Sequence, residues 1–195
     1  DTSTRPTSVT IGADGKYAFT VDAKDDYLKE GSEDLVATIT GAASNTAFEK
    51  IEISGSKGSA SSAVTDEDGS DPKNPLDGVT AQIVVDKASV AEGGQLKYTV
   101  SLVDKDGNAV TLPAGKEVTL NLAWSGAAAN DDDTSTRPTS VTIGADGKYA
   151  FTVDAKDDYL KEGSEDLVAT ITGAASNTAF EKIEISGSKG SASSA

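Results

Sequence analysis

Cysteine, histidine and methionine are absent from the 195-residue chain. Their absence excludes a Ser-His-Asp triad, a thiol nucleophile, haem or iron–sulfur ligation and an ordinary zinc site. Positive charge is scarce as well: 17 Lys+Arg stand against 32 Asp+Glu, a formal charge of −15. Nucleic acid is therefore not an expected partner, because phosphates need clustered Lys and Arg. Aromatic residues make up only 5%. No apolar run approaches the roughly 18 residues of a membrane helix, so membrane insertion is not expected. No basic and apolar leader pattern occurs, and the chain reads as an internal piece of a larger protein. The lack of cysteine leaves the compartment open, since many exported proteins fold without disulfides. Carboxylate chemistry and hard, oxygen-ligated cations remain.

What the chain does have is repetition. Asp1–Ala63 recurs without a change as Asp133–Ala195, an offset of 132 residues. A unit of that length is too long for a solenoid and suits a tandem array of whole domains, each with its own core. Acidity runs through the unit. Ten acids face six bases in each copy of the repeated stretch, and twelve face five in Val64–Asp132.

Within the unit, apolar residues alternate with polar ones at the period of a half-buried strand. Tyr98, Val100 and Leu102 alternate with Thr99 and Ser101, and Val118, Leu120, Leu122 and Trp124 follow the same rule. So do Val141 with Ile143, then Tyr149, Phe151 and Val153, then Leu167, Ala169 and Ile171, and finally Ile183 with Ile185; Thr80–Asp86 is a short apolar run. Asp106-Gly107-Asn108, Pro113-Ala114-Gly115 and Ala145-Asp146-Gly147 supply turns between them. No sustained helical stripe occurs. The expectation is an all-β chain whose domain is an immunoglobulin-like two-sheet sandwich, with Trp124 packed between the sheets, Tyr159 anchoring the acidic loop against the sandwich and Arg137 paired to a nearby Asp.

The Gly/Ser/Pro-rich, acidic stretch around residues 56–77 reads as a linker. The complete domain then spans 78–187, residues 188–195 begin the next linker, and residues 1–55 are the C-terminal half of a preceding domain. That half offers four strands without a partner sheet. The tether from Ile53 to Val79 reaches roughly 80 Å at full extension, so exchange of half-domains between molecules is sterically open. A monomer by light scattering with one cooperative transition excludes it.

Carboxylates concentrate in one place. Asp154, Asp157, Asp158, Glu162 and Glu165 crowd the segment between two strands, with Gly163 available for a turn. Asp22, Asp25, Asp26 and Glu30 occupy corresponding places in the first copy. Like charges at this density are costly unless water screens them or a cation gathers them. Calcium takes six to eight oxygen ligands; a solvated acidic loop is the other reading. Asp131, Asp132 and Asp133, in the loop after Trp124, either complete such a site or remain solvated. Asp66, Asp68 and Asp71 in the linker have a D-x-D-G flavour without the spacing of an EF-hand.

The pattern Asp157-Asp158-x-x-x-Glu162-Gly163-x-Glu165 after a Phe-x-Val strand, with Glu92-Gly93-Gly94 earlier, resembles the Calx-β family and the related extender repeats of large bacterial RTX-type, biofilm-forming adhesins. The resemblance follows the whole unit in strand order, but only these short motifs are specific. It implies calcium held by Glu92, Asp157, Asp158 and Glu162. In the partial copy Asp25, Asp26 and Glu30 match, while no equivalent of Glu92 precedes them, so that site is expected to be weaker or absent. It also implies an extracellular place on the bacterial cell surface, with neighbouring repeats of the same chain as partners.

Three functions follow. The first is a structural extender that projects a distal binding domain, which unchanged copies favour because a spacer needs number and length. The second is a calcium-dependent module that clasps a glycan or protein. The third, a glycosidase built on paired carboxylates, lacks substrate-stacking aromatics, and the chain is not expected to be an enzyme.

Overall fold

The computed structural model describes residues 2–70 and 77–195. These residues fall into two compact units, one running to Asp26 and resuming over Glu30–Glu67, the other joining Tyr27–Lys29 to Asp68–Ala195. All regular structure among the described residues is β, with no helix. The first unit holds β1 (Ser32–Thr38) and β2 (Ser59–Thr65). The second holds β3 (Gly78–Val85), β4 (Gln95–Val103), β5 (Val118–Ser125), β6 (Ser140–Ile143), β7 (Lys148–Asp154), β8 (Leu167–Asn177), β9 (Lys182–Ile185) and β10 (Ser191–Ser194).

In the second unit the strands form two four-stranded sheets, ordered β10-β8-β5-β6 and β7-β4-β3-β9. Every neighbouring pair is antiparallel except β3 with β9, which run parallel. The period-two pattern fixes which face turns inward. Leu96, Tyr98, Val100 and Leu102 of β4 are buried together with Val79, Ala81 and Ile83 of β3. From the other sheet come Val118, Leu120 and Leu122 of β5 and Leu167, Ala169 and Ile171 of β8, and both sets belong to one hydrophobic core. Fully burying a side chain of this size contributes ~1.5–3 kcal/mol. This arrangement is consistent with a β-sandwich.

Aromatic residues organise one part of that core. Tyr98 stacks on Phe151 at 5.4 Å and meets the edge of Trp124 at 5.2 Å. The Trp124 Nε1–H donates to Pro138 O at 2.8 Å, so the indole packs inward while its polar atom is satisfied. The Tyr98 hydroxyl is buried without a partner among the described residues. Burial, and then the negative charge of Asp86, pushes its pKa up to about 12. The Asp104–Asn108 turn closes as expected. Gly107 N–H donates to Asp104 O, and the Asp104 carboxylate accepts from the Asp106 and Asn108 amides.

Two expectations differ from the structure. The Ser/Ala-rich segments read as linker contribute strands, since β10 pairs with β8 and β2 pairs with β1. The register is the same in both copies: Ser194 stands opposite Leu167, and Ser62 opposite Leu35. These strands lack an apolar stripe of their own and take their place from the neighbour they pair with. In addition, the described residues up to Gly55 contain one strand, where four are expected. The segments identical to β6, β7 and β9 form no strand, because their partners β5, β4 and β3 lie in the stretch that occurs once. The β8–β10 pair survives in the copy because both of its strands are repeated. Accordingly Val9 and Ile11 are exposed where their twins Val141 and Ile143 are buried.

Candidate metal centre

Strand pairing carries the acidic segments to one end of the second unit. Gln95 at the start of β4 faces Asp154 at the end of β7, and Ser125 at the end of β5 faces Val168 near the start of β8. The loop after β5 is tied to the segment after β7: Ser135 N–H donates to Asp154 O at 2.9 Å, and Lys156 N–H to Asp133 O at 2.8 Å. The 92–94 turn joins them, with Gly93 N–H donating to Ala155 O and Ala155 N–H to Gly94 O, both at 3.0 Å. Gly93 is left-handed at φ 74°, and a Cβ there would sit 3.6 Å from the Asp157 Cβ. The Glu92–Gly93 turn therefore lies directly beside Asp157.

The carboxylates have different fates. Asp131 forms an ion pair with Arg137 at 3.0 Å, and that guanidinium also donates to Asn130 O at 2.6 Å. Asp154 accepts from Gln95 Nε2 at 2.6 Å. Asp158 accepts from the Leu160 amide at 2.6 Å. Asn130 organises the triple-Asp loop: its Oδ1 accepts the amides of Asp132 and Asp133, while its Nδ2 donates to Ala127 O and the Asp133 carboxylate.

The strongest like-charge crowding surrounds Glu162 and Glu165. Loss of solvent, and then the charges of Asp133, Asp158 and Glu165, raise Glu162 above an ordinary glutamate. Glu165 is raised first by a hydrogen bond shared with Asp133, then by loss of solvent and by the Asp133 charge. A hydrogen bond between two carboxyl groups needs a proton, which explains the direction. Asp133, Asp158 and Glu165 thus act on Glu162, and Asp133 on Glu165 as well, while the backbone turn after Glu92 passes beside Asp157. Among the described residues, no three carboxylates converge tightly enough to enclose an ion.

The other nominated residues lie elsewhere. Asp22, Asp25, Asp26, Glu30 and Asp66 belong to the first unit. There the Asp66 carboxylate accepts the amides of Glu30 at 3.1 Å and Gly31 at 2.8 Å, a capping role. Asp68 accepts from Ser70 N–H at 2.8 Å, and its hydrogen bonds to Ser70 hold it below the usual carboxylate range. Asp71 lies outside the described residues.

Tyr159 corrects a sequence expectation. An aromatic inside the acidic loop reads as an anchor to the sandwich, yet Tyr159 is 97% exposed. Sequence reasoning also passed over Asn130 and Gln95, which hold the loop backbone and Asp154. An Asn directly before three Asp residues is the signal that points to the first of these.

The raised Glu162 and Glu165 set a pH dependence. A carboxyl whose folded pKa lies above its unfolded value stabilises the fold at low pH, and that contribution is lost as pH rises through the raised range. Glu162→Gln removes one of the crowded charges. In EDTA at neutral pH it is expected to raise the melting temperature by about 1 °C, and this advantage of the variant shrinks at lower pH, where the wild-type carboxyl is protonated. A melt followed by calorimetry at two pH values checks both.

No family model matches the chain, and no curated protein or solved structure matches it either.

Proposed function

We propose that this chain is a calcium-stabilised structural extender, an immunoglobulin-like repeat of a long bacterial cell-surface adhesin that holds a distal binding domain away from the cell. The unchanged recurrence of Asp1–Ala63 as Asp133–Ala195 carries the reading. Selection for catalysis or ligand choice leaves copies free to diverge, whereas a spacer is defined by the number and length of its units. Immunoglobulin-like topology is supported by the order β7-β4-β3 in one sheet and β10-β8-β5 in the other. These match the E-B-A and G-F-C arrangements of that sandwich. The partners are then neighbouring repeats, and the place is outside the cell.

Calcium is the proposed ligand of the acidic end. The donors available there are oxygens alone, which suits a hard cation. Glu162, Glu165, Asp133 and Asp158 would hold it, with Asp157 and Glu92 beside them. Their crowding supports the fit, because a divalent cation relieves the repulsion that raises Glu162 and Glu165. Calcium that binds only the folded state adds about 2.7 kcal/mol at a hundredfold excess over Kd. Low calcium inside the cell would leave the chain loosely folded for export, and millimolar calcium outside would lock it.

The test is a calorimetric melt in millimolar CaCl2 and again in EDTA. Calcium is expected to raise the melting temperature by roughly 5–15 °C. Superimposable melts overturn the calcium reading. Glu162→Gln supplies a sharper control because its sign reverses: it stabilises slightly in EDTA and loses much of the calcium-induced rise. A variant that keeps the full rise removes Glu162 from the site.

A further inference from the structure

The second unit contains three residues from the first copy of the repeat. Tyr27, Leu28 and Lys29 lie along Ala179–Glu181 and pair with it through one isolated antiparallel bridge. Lys29 N–H donates to Ala179 O at 2.9 Å and Glu181 N–H to Tyr27 O at 3.1 Å, with Leu28 opposite Phe180. The Tyr27 and Phe180 rings are 5.8 Å apart, Phe180 is fully buried, and Tyr27 and Leu28 pack against the core.

Both halves of this contact occur a second time, and both are free. Tyr159-Leu160-Lys161 repeats the strand, with Tyr159 97% and Leu160 53% exposed. Ala47-Phe48-Glu49 repeats the seat, with Phe48 72% exposed. The seat is already shaped. Asn45 Oδ1 accepts the Ala47 and Phe48 amides and its Nδ2 donates to Phe48 O, as Asn177 does with Ala179 and Phe180.

The two elements cannot meet within one complete domain. Tyr159 precedes β8 and Phe180 follows it, and the eleven residues of β8 span roughly 35 Å between the two ends of the unit. The strand must therefore come from one copy and the seat from another.

We infer that Tyr159–Lys161 is a docking strand whose occupant is the Ala47–Glu49 seat of a second copy of this chain. The recognition is β-augmentation over three residues with one aromatic contact. Each molecule presents one free strand and one free seat, so each contact joins unlike surfaces of the two copies. In a covalent array the same pair would join successive copies, where tethering raises the effective concentration of a weak contact. The inference stands on this contact and not on calcium, so either can fail without the other.

The absence of cysteine makes the test clean. By analogy with Lys29 and Ala179, Lys161 and Ala47 stand directly opposite each other, with Cα atoms near 5.5 Å, which a disulfide spans. K161C and A47C chains, one of them isotope-labelled, are mixed at high concentration in EDTA under mild oxidation, and dimers are resolved by mass. The mixed dimer is expected several-fold above the share that random pairing gives. Adding Leu160→Asp to the K161C chain should return it to the random share while leaving the Trp124-monitored melt unchanged. A random share in the first mixture overturns the inference, as does an excess that survives Leu160→Asp.

Discussion

Phe180→Ala is expected to lower the unfolding free energy of the second unit by about 3–5 kcal/mol, while Phe48→Ala should shift it by no more than about 0.5 kcal/mol. The two residues sit in the same sequence, Asn-Thr-Ala-Phe-Glu-Lys, and in the same Asn-anchored turn. Propensity and local hydrogen bonding are therefore held constant. What differs is burial: Phe180 is closed over by core residues and by Tyr27, and Phe48 is exposed. Removing the first ring leaves a cavity that the surrounding sheet ends fill only in part. Removing the second deletes a ring that already lies largely in water and leaves no cavity. Trp124 is the only tryptophan and packs beside Tyr98 and Phe151, so its emission reports the second unit alone in a urea titration. Equal losses for the two variants would mean that the copies share one packing environment.

Most of the second unit is legible in the sequence because its strands announce themselves. Val118, Leu120 and Leu122 alternate cleanly, and the Asp/Gly turns fall between the runs. The Ser/Ala segments do not. Ser191–Ser194 carries the composition of a linker, and its strand character comes from the β8 edge it completes. No local pattern reveals that. The first copy makes the same point in reverse. Val9, Ile11 and Phe19 have the alternation of strands and form none, because a strand needs a partner as well as a pattern. Identical sequence gives different structure wherever the partner strand comes from the stretch that occurs once.

The acidic end is legible as a location and less so as an arrangement. Alternating strand directions bring the segments around residues 92, 131 and 157 to one end of the sheets, and that follows from strand order. Which carboxylates are already committed does not. Asp131 goes to Arg137, Asp154 to Gln95 and Asp66 to two backbone amides, and each of these pairings depends on a side chain distant in sequence or on a turn. The remaining group, Asp133 with Glu162 and Glu165, stands out only through the mutual repulsion that folding imposes. Tyr159 failed as an anchor for a related reason. Its twin Tyr27 shows that the residue does pack, but onto a seat that its own domain holds at the opposite end.

Gly147→Ala should destabilise the second unit by roughly 2–5 kcal/mol, and Gly15→Ala should leave its Trp124-monitored transition in place. Both glycines close the same Ala-Asp-Gly turn, at φ 69° and φ 70°, and each amide donates to the carbonyl three residues back at 3.0 Å. Left-handed strain for alanine, about 1–2 kcal/mol, is thus common to the two positions. The difference is tertiary. A Cβ on Gly147 would fall 1.7 Å from Val110 O, a backbone atom that cannot swing aside, whereas a Cβ on Gly15 meets nothing within 4 Å. Val110 N–H is also bound to Leu102 O at 3.2 Å, and Gly147 O accepts from Leu102 N–H at 2.9 Å. Relieving the clash therefore pulls on β4 and the sheet it helps to hold, with an overpacking cost of about 1–3 kcal/mol. A Gly147→Ala variant as stable as wild type would show that the 110 loop does not close on this turn. The result also bears on the repeat itself: one unchanged sequence must tolerate a turn that is open in one copy and enclosed in the other, and glycine is the residue that satisfies both.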